Sequence, residues 1–75
     1  KRMIDRFDVG ERINDRRSRL GMTQNELANK IGITRSTVQK WESGVHLPKK
    51  ETIPKIAKYL NYNERYLLYG DDSNE

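Results

Sequence analysis

With 75 residues, 33% of them hydrophobic and 35% charged, the chain has room for one small domain with a modest core. It has no cysteine, which excludes disulfides and thiolate metal sites and suits an intracellular setting, and no apolar run approaches the roughly 20 residues that span a bilayer. Residues 64–75 hold Arg65 against Glu64, Asp71, Asp72 and Glu75, a balance of −3, so the first 63 residues carry +7 of the net +4. A basic body is what a polyanion partner selects, although a lysine-rich solvated surface gives the same balance.

The opening residues 1–8 read as an N-terminal arm or a cloning remnant, since the first residue is not methionine. A first helix is expected from about Val9 to Leu20, capped by Asp8 with Glu11 three residues on, striped by Val9, Ile13 and Leu20, and ended by Gly21. The run Thr23-Gln24-Asn25-Glu26 is a second capping box and opens a helix to Ile31. Ala28 stands one turn before Gly32, as two closely crossing helices joined by a tight positive-φ turn require. Thr34 then caps a third helix from Arg35 to about Glu42, with Gly44 as its stop. Together, Gln24 to Glu42 satisfy the spacing of a helix-turn-helix.

The segment from Val45 to Lys50 reads as a loop. A fourth helix should cover about Glu51 to Leu60, burying Ile53, Ile56, Ala57 and Leu60. Pro54 is tolerated only in a first turn, which puts the start between Lys50 and Thr52. A fifth helix from about Glu64 to Leu68 buries Leu67 and part of Tyr66, and residues 71–75 form a polar tail. No window alternates at period two. The fold class is therefore all-α: a compact five-helix domain over residues 9–70.

Stepping about 100° per residue from Val38 sorts the third helix. Trp41, Glu42 and the capping Thr34 lie within about 60° of the core direction. Ser36 and Lys40 point away, flanked by Thr37 and Gln39, with Arg35 at the edge. This outward set has donors and hydroxyls and no acid, the groups that read base edges in a major groove, Arg and Lys preferring guanine and Gln preferring adenine. An ordinary solvated face is also polar; membership of the second helix of a helix-turn-helix is what favours recognition. Glu42 falls on the core side, where a lone carboxylate is costly, so Arg16 or Arg17 is expected to pair with it.

The stretches GERINDRRSRLGMTQNELANKIG, ITRSTVQKWESG, LPKKETIPKIAKYL and ERYLLYG closely resemble the lambda-repressor-like (Cro/CI-type, XRE) helix-turn-helix family over Val9 to Gly70. They look most like the N-terminal DNA-binding domain of a temperate-phage or prophage repressor. The resemblance implies binding of a pseudo-palindromic operator in double-stranded DNA as a homodimer that is weak in solution. It implies base contacts from Arg35, Ser36 and Lys40, with Thr37 and Gln39 beside them. Gln24 would hold a phosphate and buttress the first recognition side chain, and Thr23, Thr34, Ser43 and Lys50 would meet the DNA backbone. Arg17 matches the partner of Glu42, and Glu64, Arg65 and Tyr66 match a subunit contact. Pro54 and Lys49 depart from the family pattern at the start of the fourth helix, and Arg35 stands where glutamine is common.

A different class of function is an antitoxin-like interaction module that also binds its own promoter; it would need a toxin-binding tail, and five polar residues follow Gly70. An enzyme is disfavoured. The one histidine, His46, has no adjacent Asp or Glu and reads as a solvated or phosphate-side loop residue, and no serine has a base beside it. No metal, cofactor, small-molecule ligand or membrane partner is expected.

Overall fold

The computed structural model describes residues 3–70, and the expected polar tail at 71–75 lies outside them. Five helices follow in order: α1 (Arg6–Arg19), α2 (Gln24–Ile31), α3 (Arg35–Glu42), α4 (Ile53–Leu60) and α5 (Glu64–Tyr69), with no strand among the described residues. None is long and apolar enough to cross a membrane. Val9, Ile13, Leu27, Ala28, Val38, Ile56, Leu60 and Leu67 form the centre of one core, closed by Trp41 and Ile53.

The helix-turn-helix forms as its capping chemistry dictates. Thr23 Oγ1 accepts from Glu26 N while the Glu26 carboxylate accepts from Thr23 N, a complete capping box. Gly32 closes α2 at φ 91, a conformation that any Cβ would strain. Thr34 then caps α3 by accepting from Thr37 N at 3.2 Å. Ala28 is fully buried between the two helices, as their crossing demands.

Two boundaries differ from expectation. α1 begins at Arg6 rather than Val9, because Asp5, not Asp8, is the cap: its carboxylate accepts from Phe7 N and Asp8 N, and Asp8 joins the first turn. Residues 6–8 thus belong to the helix and not to an arm. α4 begins at Ile53, just past the expected range, with Pro54 second in the helix, after a turn in which Lys49 O accepts from Thr52 N and Ile53 N.

The arginines of α1 hold the other helices in place. Arg6 Nε donates to Gly44 O at 2.7 Å, just past α3. Arg12 donates to Leu67 O and Leu68 O at 2.8 and 3.0 Å, and Arg16 Nε donates to Leu60 O at 2.8 Å. The last carbonyls of α4 and α5 lack intrahelical partners and carry partial negative charge, so a guanidinium there satisfies both needs. Gly10 permits the tight docking of α1 on α3: a Cβ at this position would overlap the Trp41 carbonyl oxygen.

Candidate nucleic-acid interface

α3 is fixed from both ends. At its C-terminal end, Arg17 forms a two-pronged ion pair with Glu42, Nε to Oε2 at 2.6 Å and Nη2 to Oε1 at 3.0 Å, with side chains 13% and 6% exposed. Of the two flanking arginines it is Arg17 that pairs, while Arg16 caps α4 and lies over the Tyr62 ring at 5.3 Å. Arg17 also donates to Met22 O at 2.7 Å and Asn14 Oδ1 at 3.0 Å. The hydrogen bond to Glu42 holds the Arg17 guanidinium above its usual range; desolvation opposes this and the Glu42 charge adds to it.

Gln24 belongs to the same network. Its Nε2 donates to Glu42 Oε1 at 2.9 Å, and since a carboxylate only accepts, the nitrogen must face it. The side chain therefore turns partly inward instead of standing free for a phosphate. One N–H and Oε1 remain for other partners.

On the opposite side α3 presents Arg35, Ser36, Gln39 and Lys40, all exposed, with no acid in the helix except the inward Glu42. Arg35 and Gln39 form one column and Ser36 and Lys40 the next, each pair one turn apart. Thr37, expected beside them, is half-buried, and its hydroxyl lies 3.0 Å from that of Thr34. Thr23, Thr34 and Ser43 are exposed, and all three use their hydroxyls internally: the first two as caps, Ser43 by donating to Lys40 O at 3.3 Å.

The remaining expected sites divide between different faces. Lys50 stands beside an apolar groove with Leu47, Pro48, Ile53, Glu64 and Leu68, on the α5 side of the loop. It is Lys49 that lines the groove along α3. Glu64 and Tyr66 sit two residues apart, roughly 200° around α5. Tyr66 is half-buried, its ring edge-on to Tyr62 at 4.9 Å, in a cleft against α1 lined by Asp8, Glu11 and Asp15. Only Glu64 and Arg65 of the expected subunit contact are exposed. Among the described residues no group of three or more His, Asp or Glu could hold a metal ion.

The helix-turn-helix family profile matches residues 13–67, nearly the whole folded body. The chain belongs to the helix-turn-helix family of Cro/CI type, a family of DNA-binding transcription regulators and not a class of enzymes. It is 33% identical over 67 residues to the HTH-type transcriptional regulator DicA of Escherichia coli, covering 89% of this chain and 50% of that protein. It is equally identical over 63 residues to repressor protein C2 of Salmonella phage P22, covering 84% of this chain and 29% of that protein. The chain thus spans half or less of the length of these curated relatives. The P22 c2 repressor, solved in complex with synthetic operator 9T, superposes with a TM-score of 0.81 at 33% identity over 84% of this chain and 96% of that chain. In this helix-turn-helix family the resemblance to phage repressors is shared by sequence and fold.

Proposed function

We propose that the chain is the sequence-specific DNA-binding part of a transcriptional repressor of phage type, reading a pseudo-palindromic operator in the bacterial cytoplasm. One observation carries this: an exposed, acid-free face of Arg35, Ser36, Gln39 and Lys40 on the second helix of a helix-turn-helix, tied down by a largely buried ion pair behind it. A rigid helix can place side chains against base edges with the accuracy that bidentate contacts require. Thr37 supports this face through Thr34. Gln24 keeps one N–H, and Thr23 and Thr34, which cap by accepting, keep a hydroxyl proton, so these three take the DNA backbone and fix register without carrying sequence; Ser43 joins them only by releasing Lys40 O, and Lys50 only by reaching over from the α5 side of the loop.

A single helix of eight residues reads only a few base pairs, too little for selection among genomic competitors. Two protomers with their α3 helices about 34–36 Å apart solve this. Glu64 and Arg65, with Tyr66 behind them, are the proposed pairing edge; so small a surface gives a weak dimer that DNA aligns through effective concentration.

The test is selection of bound sites from random duplexes, followed by affinities of Arg35→Ala and Lys40→Ala for every single-base variant of the selected site. Each substitution is expected to cost about 1–3 kcal/mol on the preferred site and to relax choice at one or two base pairs. An unchanged preference profile for both variants would overturn the assignment of this face.

A further inference from the structure

The last turn of α3 is tied to the first turn of α1. α3 has eight residues, too few to persist on helical propensity alone, so its ends depend on tertiary contacts. Arg17 grips Glu42 from the core side. Beyond Glu42 the backbone folds back on itself. Gly44 takes the left-handed conformation at φ 79, and Val45 N and His46 N donate to Lys40 O at 2.9 and 3.3 Å. The same carbonyl accepts from Ser43 Oγ at 3.3 Å, so three donors converge on the backbone of the last outward residue of the helix.

Gly44 is buried, and Phe7 lies against it. A Cβ on Gly44 would overlap the ring carbons Cδ1 and Cε1, so the ring rests directly on the glycine backbone. Arg6 completes the contact: its Nε donates to Gly44 O at 2.7 Å, and its guanidinium carbon lies 4.9 Å from the centre of the Phe7 ring. A cation over an aromatic face steadies both side chains. Phe7 is nevertheless 59% exposed. A ring that leaves so much apolar surface in water adds little to the core, and what it does touch is the turn that closes α3.

We propose that Phe7, with Arg6, is a positioning residue for operator reading: it holds the turn at Gly44 and thereby fixes where Lys40 meets its base pair. The inference rests on the DNA-binding reading above, and it makes the two ends of α3 separable. Arg35 stands in the first turn, which Thr34 caps. Lys40 stands in the last turn, which the α1 contact closes. A long side chain on a loosened turn still finds a phosphate, but it no longer holds the geometry that selects one base edge.

The test is the single-base preference profile of Phe7→Ala on the selected duplex, set beside those of Lys40→Ala and Arg35→Ala. A good base contact supplies roughly 5- to 150-fold discrimination. Phe7→Ala should lose about 3- to 10-fold of it at the base pairs where Lys40→Ala relaxes choice, and none where Arg35→Ala does. Phe7 carries no charge, so the slope of log affinity against log salt should stay unchanged. Hydrogen exchange should quicken at the amides of Val45 and His46 and not at that of Val38. Phe7→Tyr, which keeps the ring, should retain the profile, and Arg6→Gln should show the same one-ended loss. A folded Phe7→Ala variant with an unchanged profile, or with equal losses at every base pair, overturns the positioning role while operator reading stands. So does loss of helical dichroism in Phe7→Ala, which would make the ring a support of the whole fold. A wild-type chain that selects no duplex overturns the DNA-binding reading and this inference with it.

Discussion

Removing one partner of the Arg17–Glu42 pair should cost far more than a surface ion pair does. Both side chains are withdrawn from water, at 13% and 6% exposure, so solvent screens the pair little. Arg17→Ala leaves the Glu42 carboxylate with Gln24 Nε2 as its one remaining side-chain donor and takes the donor from Met22 O. A stranded buried charge of this kind costs about 3–5 kcal/mol. Glu42→Ala should be milder, about 2–3 kcal/mol, because Arg17 keeps Met22 O and Asn14 Oδ1 as acceptors. A domain of this size has about 4–11 kcal/mol in total, so Arg17→Ala takes it close to unfolding at ambient temperature. Urea denaturation followed by Trp41 fluorescence and far-ultraviolet dichroism measures this, with a midpoint shift of roughly 3–5 M for a slope near 1 kcal/mol/M. Combining the two substitutions should return about 2–3 kcal/mol of coupling. Arg17→Met with Glu42→Leu should be more stable than either single alanine variant, because an apolar pair strands no charge. Coupling below about 0.5 kcal/mol would refute the claim that the pair is a buried unit.

Gly10→Ala should destabilise the fold by about 1–3 kcal/mol although alanine is the better helix former, since its methyl would overlap the Trp41 carbonyl; a raised melting temperature would show that α1 does not dock this closely. Arg12→Ala should cost about 2 kcal/mol and act locally, loosening α5, so hydrogen exchange should speed up first at the amides of Leu67 to Gly70. Tyr66→Ala removes a ring packed edge-on against Tyr62 and should lower stability by about 1–2 kcal/mol while reducing affinity for an isolated half-site little. If instead it weakens only the filling of paired half-sites, at unchanged stability, Tyr66 belongs to the subunit contact.

Local chemistry was legible in the sequence, because it is written in neighbouring residues. The capping box at Thr23, the positive-φ turn at Gly32 and the Thr34 cap each need only three or four positions, and each forms as read. The outward face of α3 follows from helical periodicity for the same reason. The start of α1 was misread because Asp8 and Asp5 are both competent caps, and Phe7, 59% exposed, hides the helical stripe from the pattern. Gly10 carried a signal that could have been used: a glycine inside a helical pattern, with no turn to make, marks a close approach. Tyr66 could not be assigned from spacing, since its packing depends on where α5 lies against α1.

The distribution of positive charge changes meaning once its contacts are known. The basic body is part of what points to a polyanion, yet Arg6, Arg12, Arg16 and Arg17 all spend their guanidinium groups on partners within the protein: Gly44 O just past α3, the last carbonyls of α4 and α5, and Glu42. Arginine suits this work because its planar fork donates in several directions while its stem packs on the surface it crosses. In a core this small the four side chains fix the helices where apolar contact alone is thin. The charge left near α3 is smaller: Arg35 and Lys40 on the reading face and Lys49 along its flank, with Lys50 on the far side of the loop and Lys30, Lys55, Lys58 and Arg65 exposed on other helices. A basic surface spread evenly over the body would grip any polyanion alike. The cations on α3 and the loop that follows it orient the duplex, so the same few charges that give affinity there also set the register in which α3 reads it.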